Sequence, residues 1–449
     1  MPIDNIRELK SKGNKKGREI VLDVIEETLD KMNYYNVVRE ITELSGDILK
    51  IKDLRLNLKD FENIYVIGGG KNSSSMAQAL EEILEDKIAG GVVVEKRGCI
   101  AQTRHLLRIE GDHPIPGINS VKAAEEILRI MSSVRKQDLL LVCVSGGWTA
   151  LTSKPPKEIS LEDYKAIHEL MLKSGMTVEQ MNIIRNHISQ LGRGKIPILA
   201  NGATVVGLIA VDEVERKPWG PTVPDSTRFS DAMRVLKDFN LLDRTPKSII
   251  GYLKTASPSE ETPTDLDYKH RGLRVYNLVV ADNVRLCETA QEISSKKIRS
   301  HIISTSLRGE ARHVGTVIAS IANEIEKFSR PFSPPCLIIF GGETTVTIVG
   351  ESGEGGRNQE LALSAAQGIP EDSSIVIASV ATDGTDGPTD IAGAIVDSTL
   401  IPTALKMGLD VVSELNRHNS SHVFRQTGDA VYAKNTGTNL MDLIVAYIG

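Results

Sequence analysis

The chain has 449 residues, 41% hydrophobic and 25% charged, which suits two or three globular domains and argues against long disorder. Its 53 basic and 59 acidic residues give a formal charge of -6, so nothing favours nucleic acid or an anionic membrane as partner, although a local basic cluster suffices for a small anion. Cys99, Cys143, Cys287 and Cys336 form no C-x-x-C pair, which argues against structural zinc or a redox dithiol, and Cys143 and Cys336 lie in apolar runs that read as core. The N-terminus lacks a signal-peptide pattern and no apolar run approaches the ~18 residues of a membrane span, so a cytoplasmic protein is expected.

From Arg18 to Met32, apolar residues recur at helical spacing (Ile20, Val21, Val24, Ile25, Leu29, Met32), predicting an amphipathic helix. Short β-branched runs follow at Ile64–Ile67, Gly91–Val94, Leu139–Val144 and Val205–Val211, with helical patterns at Ser75–Leu84 and Ser120–Met131. This alternation predicts a parallel, Rossmann-like sheet with helices on both faces. Thr255–Asp265 has no apolar periodicity and reads as an interdomain linker, which divides the chain into domains at 1–260 and 261–449. A second, smaller α/β domain then runs through Leu278–Val280, Ile302–Ser304, Cys336–Phe340, Thr344–Val349 and Ile375–Ala381. Only Gly341-Gly342-Glu343 separates two of these runs, so a hairpin and a mixed sheet are expected.

Five segments carry candidate chemistry. Gly68-Gly69-Gly70-Lys71 ends a strand and opens a helix, so Gly69, Gly70 and Lys71 suit either phosphate binding or a tight turn. Ser145-Gly146-Gly147 occupies the same position on another strand. It suits an anion, a structural turn or, without a G-x-S-x-G context, a serine nucleophile. Arg185 to Lys195, including His187, is an anion-binding cluster or a solvated basic turn. Gly341-Gly342-Glu343 leads through a glycine-rich loop to Arg357 at a helix start, where the macrodipole disfavours a cation, so Arg357 reads as a clamp for transferred charge. Thr382-Asp383-Gly384-Thr385-Asp386 offers Asp383 and Asp386 as oxygen ligands for Mg²⁺ or as Asx-turn residues. Asp212-Glu213 closes a strand and suits a general base or metal ligand.

Taken together and in order, these segments resemble the class II glycerate kinases, or MOFRL family. The resemblance is carried by GGGK with Met76-Ala77, HPIP (His113–Pro116), the S-G-G, R-x-H-x-S (Arg185–Ser189) and GPTVPDST (Gly220–Thr227). It continues through GGETTVT and GGRNQE (Gly341–Glu360), TDGTDGPTD and TGTNLMDL (Thr436–Leu443), and so spans nearly the whole chain. The resemblance implies two α/β domains with an active site in the cleft between them, and ATP-dependent phosphorylation of D-glycerate, usually at the 2-hydroxyl, with Mg²⁺. It makes Lys71 and Arg357 the catalytic cations and Asp212 their acidic partner. Gly69, Gly70, Ser145, Gly146, Gly147, Arg185 and Glu343 would bind nucleotide or substrate, and Asp383 and Asp386 the metal. Two segments depart from the pattern: Trp148-Thr149 stands where a small residue and serine are common, and DEVERKPW (Asp212–Trp219) is short. No nucleic acid or membrane partner is implied, and a homodimer is compatible with the sequence. The rival readings are a hydroxypyruvate reductase, which needs a dinucleotide fingerprint that Gly68–Gly70 lacks, and a non-catalytic nucleotide-binding regulator.

Overall fold

In the computed structural model, which describes residues 2–98, 101–214 and 217–449, the apolar runs become the central strands of two six-stranded sheets. Each sheet belongs to its own α/β unit. One unit comprises Val37–Val211 and Lys217–Val280; the other comprises Met1–Asn36, Asp212–Arg216 and Ala281–Gly449. Cys99 and the Glu215-Arg216 part of the segment after Asp212 lie outside the described residues.

The first unit opens with an antiparallel meander, β1 (Thr42–Ser45), β2 (Ile48–Ile51) and β3 (Leu54–Asn57). Its large sheet contains β4 (Ile64–Gly69), β5 (Ile88–Lys96), β6 (Leu107–Gly111), β7 (Leu139–Val144), β8 (Thr204–Ala210) and β9 (Arg274–Ala281), in the order β6-β5-β4-β7-β8-β9. The strands from β6 to β8 pair in parallel, as the strand–helix alternation predicts. Every residue of β7 and β8 is buried, so both faces of the sheet are covered. Ala123, Ala124 and Ile127 of the helix Ile118–Ser133 pack with Ile67, Val92, Val142 and Ile209 on one face.

The second unit's sheet contains β10 (Arg299–Leu307), β11 (Cys336–Gly342), β12 (Val376–Ala381), β13 (Gly393–Asp397), β14 (Ala430–Val431) and β15 (Asp442–Ile448), in the order β10-β11-β15-β12-β13-β14. Only β10 and β11 pair in parallel; the other pairs are antiparallel, so the sheet is mixed. Because β11 and β12 both run antiparallel to β15, they point the same way. Their C-terminal ends meet at Asp442, which is in register with Gly342 on one side and Ala381 on the other.

The units divide differently from a cut at 260/261. Thr255–Asp265 is not a linker between units: it buries Thr262, and its Glu261 carboxylate accepts the Phe229 N–H of the same unit. The run at Leu278–Val280 lies on β9 of the first sheet. The N-terminal helix Lys15–Lys31 folds with the C-terminal unit, because its buried Arg18 donates to Asp397 and Asp429 at 2.7 Å each. The hairpin expected at Thr344–Val349 is also absent: β11 takes its antiparallel partner from the C-terminal β15. Thr345 makes one isolated parallel bridge to Glu310, and although Thr344 is buried and Val346 packs on the core, Ile348 and Val349 are 56% and 85% exposed, so the run forms no strand. Cys143, Cys287 and Cys336 are buried. Among the described residues no helix is long and apolar enough to cross a membrane.

Candidate functional site

In the first unit the site residues gather where β5, β4 and β7 end side by side. The glycine turns after β4 and β7 lock together: Ser145 N–H donates to Gly69 O at 3.1 Å, Lys71 N–H to Gly146 O at 2.8 Å and Gly70 N–H to Val94 O at 3.2 Å. Gly70 has φ +127°, and a Cβ there would lie 2.2 Å from Ser145 Oγ, so only glycine permits this approach. Ser145 is fully buried and its hydroxyl accepts the Asn72 N–H at 3.3 Å, which makes it a brace of the turn and not an exposed nucleophile. The helix Ser73–Leu84 starts two residues after Lys71, past its N-cap Asn72, so Lys71 lies on the turn that leads into the helix's N-terminal amides. Thus Gly69, Gly70, Lys71, Ser145, Gly146 and Gly147 form one structure.

Trp148 is explained by the same geometry. It is 2% exposed, its indole N–H donates to Leu191 O at 3.3 Å, and a Cβ on Gly69 would come within 2.6 Å of its ring. The indole therefore fills the space over Gly69 and supports the turn from behind. Of the basic cluster, His187 is buried and structural, held by Ile183 O and Thr227 O. Lys195 donates to Ser189 O at 2.9 Å, and burial brings its ammonium down to about 8. The cluster is not a solvated turn.

In the second unit the centre is Asp442, where β11 and β12 converge. Arg357 donates Nε and an Nη to the two Asp442 oxygens at 2.7 and 2.8 Å, and its other Nη lies 3.1 Å from Glu343 Oε1. This is a bidentate fork on a carboxylate that is 2% exposed. Burial alone would lower the guanidinium, but Asp442, Glu343 and Asp386 raise it above its ordinary range. The remaining residues of GGRNQE are buried hydrogen-bonding parts of the same unit. Asn358 bridges Asp386, Asp442 and Ser379, Gln359 bridges Asp386, Thr389 and Ser421, and Glu360 holds Arg312 and His418.

Asp386 needs correcting as a metal ligand. Its two oxygens accept from the Asn358 and Gln359 backbone N–H groups and from both side-chain amides, at 3.0–3.2 Å. It caps the helix Arg357–Gln367, and a Cβ on Gly356 would meet its Cγ at 2.3 Å. Burial, with Asp442 adding to it, raises this carboxyl above its ordinary range despite the four donors. No oxygen is left for a cation.

Asp212 and Asp383 differ from Asp386 in being partly exposed. Asp212 accepts the Asn439 amide at 3.0 Å, and Asp383 closes an Asx-turn through the Thr385 N–H at 3.2 Å. Both act on the buried Tyr34 hydroxyl, which burial and then Asp212 raise well above its ordinary value, Asp383 adding a smaller push. Tyr34 in turn donates to Asn439 O at 2.8 Å and accepts its N–H at 3.0 Å, tying the Thr436–Leu443 segment to the N-terminal helices. Among the described residues no three His, Cys, Asp or Glu side chains form a metal cage. Asp212 and Asp383 are carboxylates of the kind that Mg²⁺ takes, one or two at a time, beside substrate phosphates. Asp442, Asn439 and Tyr34 escaped the sequence reading; the only signal for the first two was their place in TGTNLMDL.

Residues 20–254 match a family described as a domain of unknown function (DUF4147), and residues 336–442 match the MOFRL family. A glycerate 2-kinase of Pyrococcus horikoshii is 37% identical over 96% of this chain and 97% of its own. The chain belongs to the MOFRL glycerate kinase family. A D-glycerate 2-kinase of Thermotoga maritima is 35% identical over 88% of this chain and 92% of its own. A crystal structure of a Thermotoga maritima glycerate kinase, 31% identical, matches with TM-score 0.82 over 96% of this chain and 99% of its own. As a MOFRL protein the chain has both family halves, with the matched MOFRL segment starting at β11 and ending at Asp442.

Proposed function

We propose that this chain is an ATP-dependent glycerate 2-kinase. The observation that carries the reading is near-complete alignment with relatives named for that activity. Phosphoryl transfer to a hydroxyl asks for cations on the moving phosphoryl group and for a group at the acceptor oxygen. Lys71, at a helix mouth among glycine amides, supplies one cation. Arg357 supplies another, held in place before reaction by Asp442, so little reorganisation is needed as charge develops. Asp212 orients or deprotonates the acceptor hydroxyl. Asp383, with Asp212, would hold Mg²⁺, which when bound draws charge from nucleotide phosphate oxygens.

The test is a pair of coupled assays run in parallel, one reading ADP formation with D-glycerate and ATP, the other NAD(P)H oxidation with hydroxypyruvate. Glycerate-dependent ADP formation alone is the expected result. NAD(P)H oxidation without ADP formation would replace the kinase with a reductase, and activity in neither would leave a nucleotide-binding regulator.

A further inference from the structure

Among the described residues, three arginines are held by carboxylates: Arg18 by Asp397 and Asp429, Arg357 by Asp442 and Glu343, and Arg312 by Glu360. Arg185 and Arg193 have no such partner, and Arg193 instead donates to Pro218 O at 3.4 Å. Arg185 lies on the helix Val178–His187, and its hydrogen-bonding contacts among the described residues are weak: Asn182 Oδ1 at 3.4 Å and Met181 Sδ at 3.8 Å. Its Nε is buried without a partner. Burial lowers this guanidinium below its ordinary range, and no carboxylate acts to restore it. A half-buried cation with no counter-charge beside it is costly, so such an arrangement suits an anion supplied from outside.

The surroundings fit a small anion bearing hydroxyl groups. Tyr164 Oη donates to Ser153 Oγ at 3.0 Å and also reaches Ser189, so hydroxyls cluster beside the guanidinium. Ser153 in turn donates to Thr149 O, two residues beyond Gly147, which links the cluster to the glycine turn of the candidate site. His168, tilted against Tyr164 with ring centroids 4.5 Å apart, cannot substitute for the anion. Its Nδ1 is bonded to Tyr164 O, and burial, followed by Arg185, pushes it down to about 3, so it stays neutral.

We infer that Arg185 binds the carboxylate of the acceptor substrate, a short hydroxy acid. This rests on the glycerate kinase reading. A fork of charge-assisted bonds on a carboxylate suits arginine and not lysine.

The test compares the full-length wild type with Arg185→Met and Arg185→Lys, by thermal shift with D-glycerate alone, by thermal shift with ATP alone, and by steady-state kinetics. Arg185→Met should lose the D-glycerate shift, keep the ATP shift, and raise the glycerate KM by roughly 10- to 100-fold. Its ligand-free melting temperature should hold or rise, because a half-buried unpaired charge has been removed; Arg185→Lys should fall between. A retained D-glycerate shift, or loss of the ATP shift whether or not the glycerate shift survives, would overturn the assignment. A fall in the ligand-free melting temperature with unchanged glycerate KM would make Arg185 structural. Absence of wild-type turnover would refute the kinase reading separately, since the shift experiments still report on Arg185.

Discussion

Asp442 and Asp386 stand within reach of the same Asn358 amide yet serve different ends. Asp442 aims Arg357, whereas Asp386 satisfies the first amides of the helix that begins with it. Asp442→Asn removes the charge that fixes the fork, so kcat should fall by ~10²-fold with little change in the KM for ATP. Arg357→Lys should be comparably impaired, because an ammonium cannot make both bonds. The double variant should be little worse than either single one if the two act as a unit, and additive losses in a kinetic double-mutant cycle would contradict that. The two aspartates of the TDGTD loop should separate as well. Asp383→Asn should raise the Mg²⁺ requirement. Asp386→Ala should leave the Mg²⁺ dependence unchanged and cost ~1–3 kcal/mol of stability through the buried amides it abandons. Equal Mg²⁺ titrations for Asp383→Asn and wild type would exclude Asp383 as a ligand. Sequence spacing placed both aspartates in one turn. Which of them faces a helix end depends on the approach of Gly356, and pattern alone does not encode that.

At the scale of elements, the glycine turns after β4 and β7 are bonded to each other and fix the backbone of Lys71. Gly70→Ala would force a Cβ onto Ser145 at a positive φ, so it should both destabilise the unit and lower turnover. A variant with wild-type melting and kcat would show that the turn tolerates the strain. The strands β4, β5, β7 and β8 were legible because each is an apolar run bounded by glycine or polar residues, and all four are buried in the sheet. Thr344–Val349 has the same β-branched composition, but only Thr344 and Val346 turn inward and no strand among the described residues pairs with it, which composition alone does not reveal. The position of β15 between β11 and β12 was not legible at all, since its partners lie far back in the chain and no short-range signal selects them.

Across the whole molecule, the N-terminal helix is joined to the rest of the C-terminal unit by the buried Arg18, beside the bonds of Asn14 to Asp397 and Ser374. Arg18 and Asp397 are 379 positions apart, which is why a contiguous division of the chain looked natural. Arg18→Met would strand two buried carboxylates and should cost ~3–5 kcal/mol in urea denaturation of that unit; a loss below ~1 kcal/mol would mean that the ion pair is dispensable. Burial alone would raise Asp397, but Arg18 and the bonds from Thr399 and Asn14 bring it below its ordinary range. Its contribution is therefore complete above the unfolded carboxylate value of ~3.9 and is lost as pH falls through the lower folded value. Removing Arg18 should make stability fail at higher pH than in the wild type. The most direct measurement of the chain's chemistry is ³¹P NMR of the product formed from ATP, Mg²⁺ and D-glycerate. Phosphoryl transfer to the 2-hydroxyl gives 2-phosphoglycerate with one ADP released per ester formed; 3-phosphoglycerate, or ATP left unconsumed, would contradict that assignment.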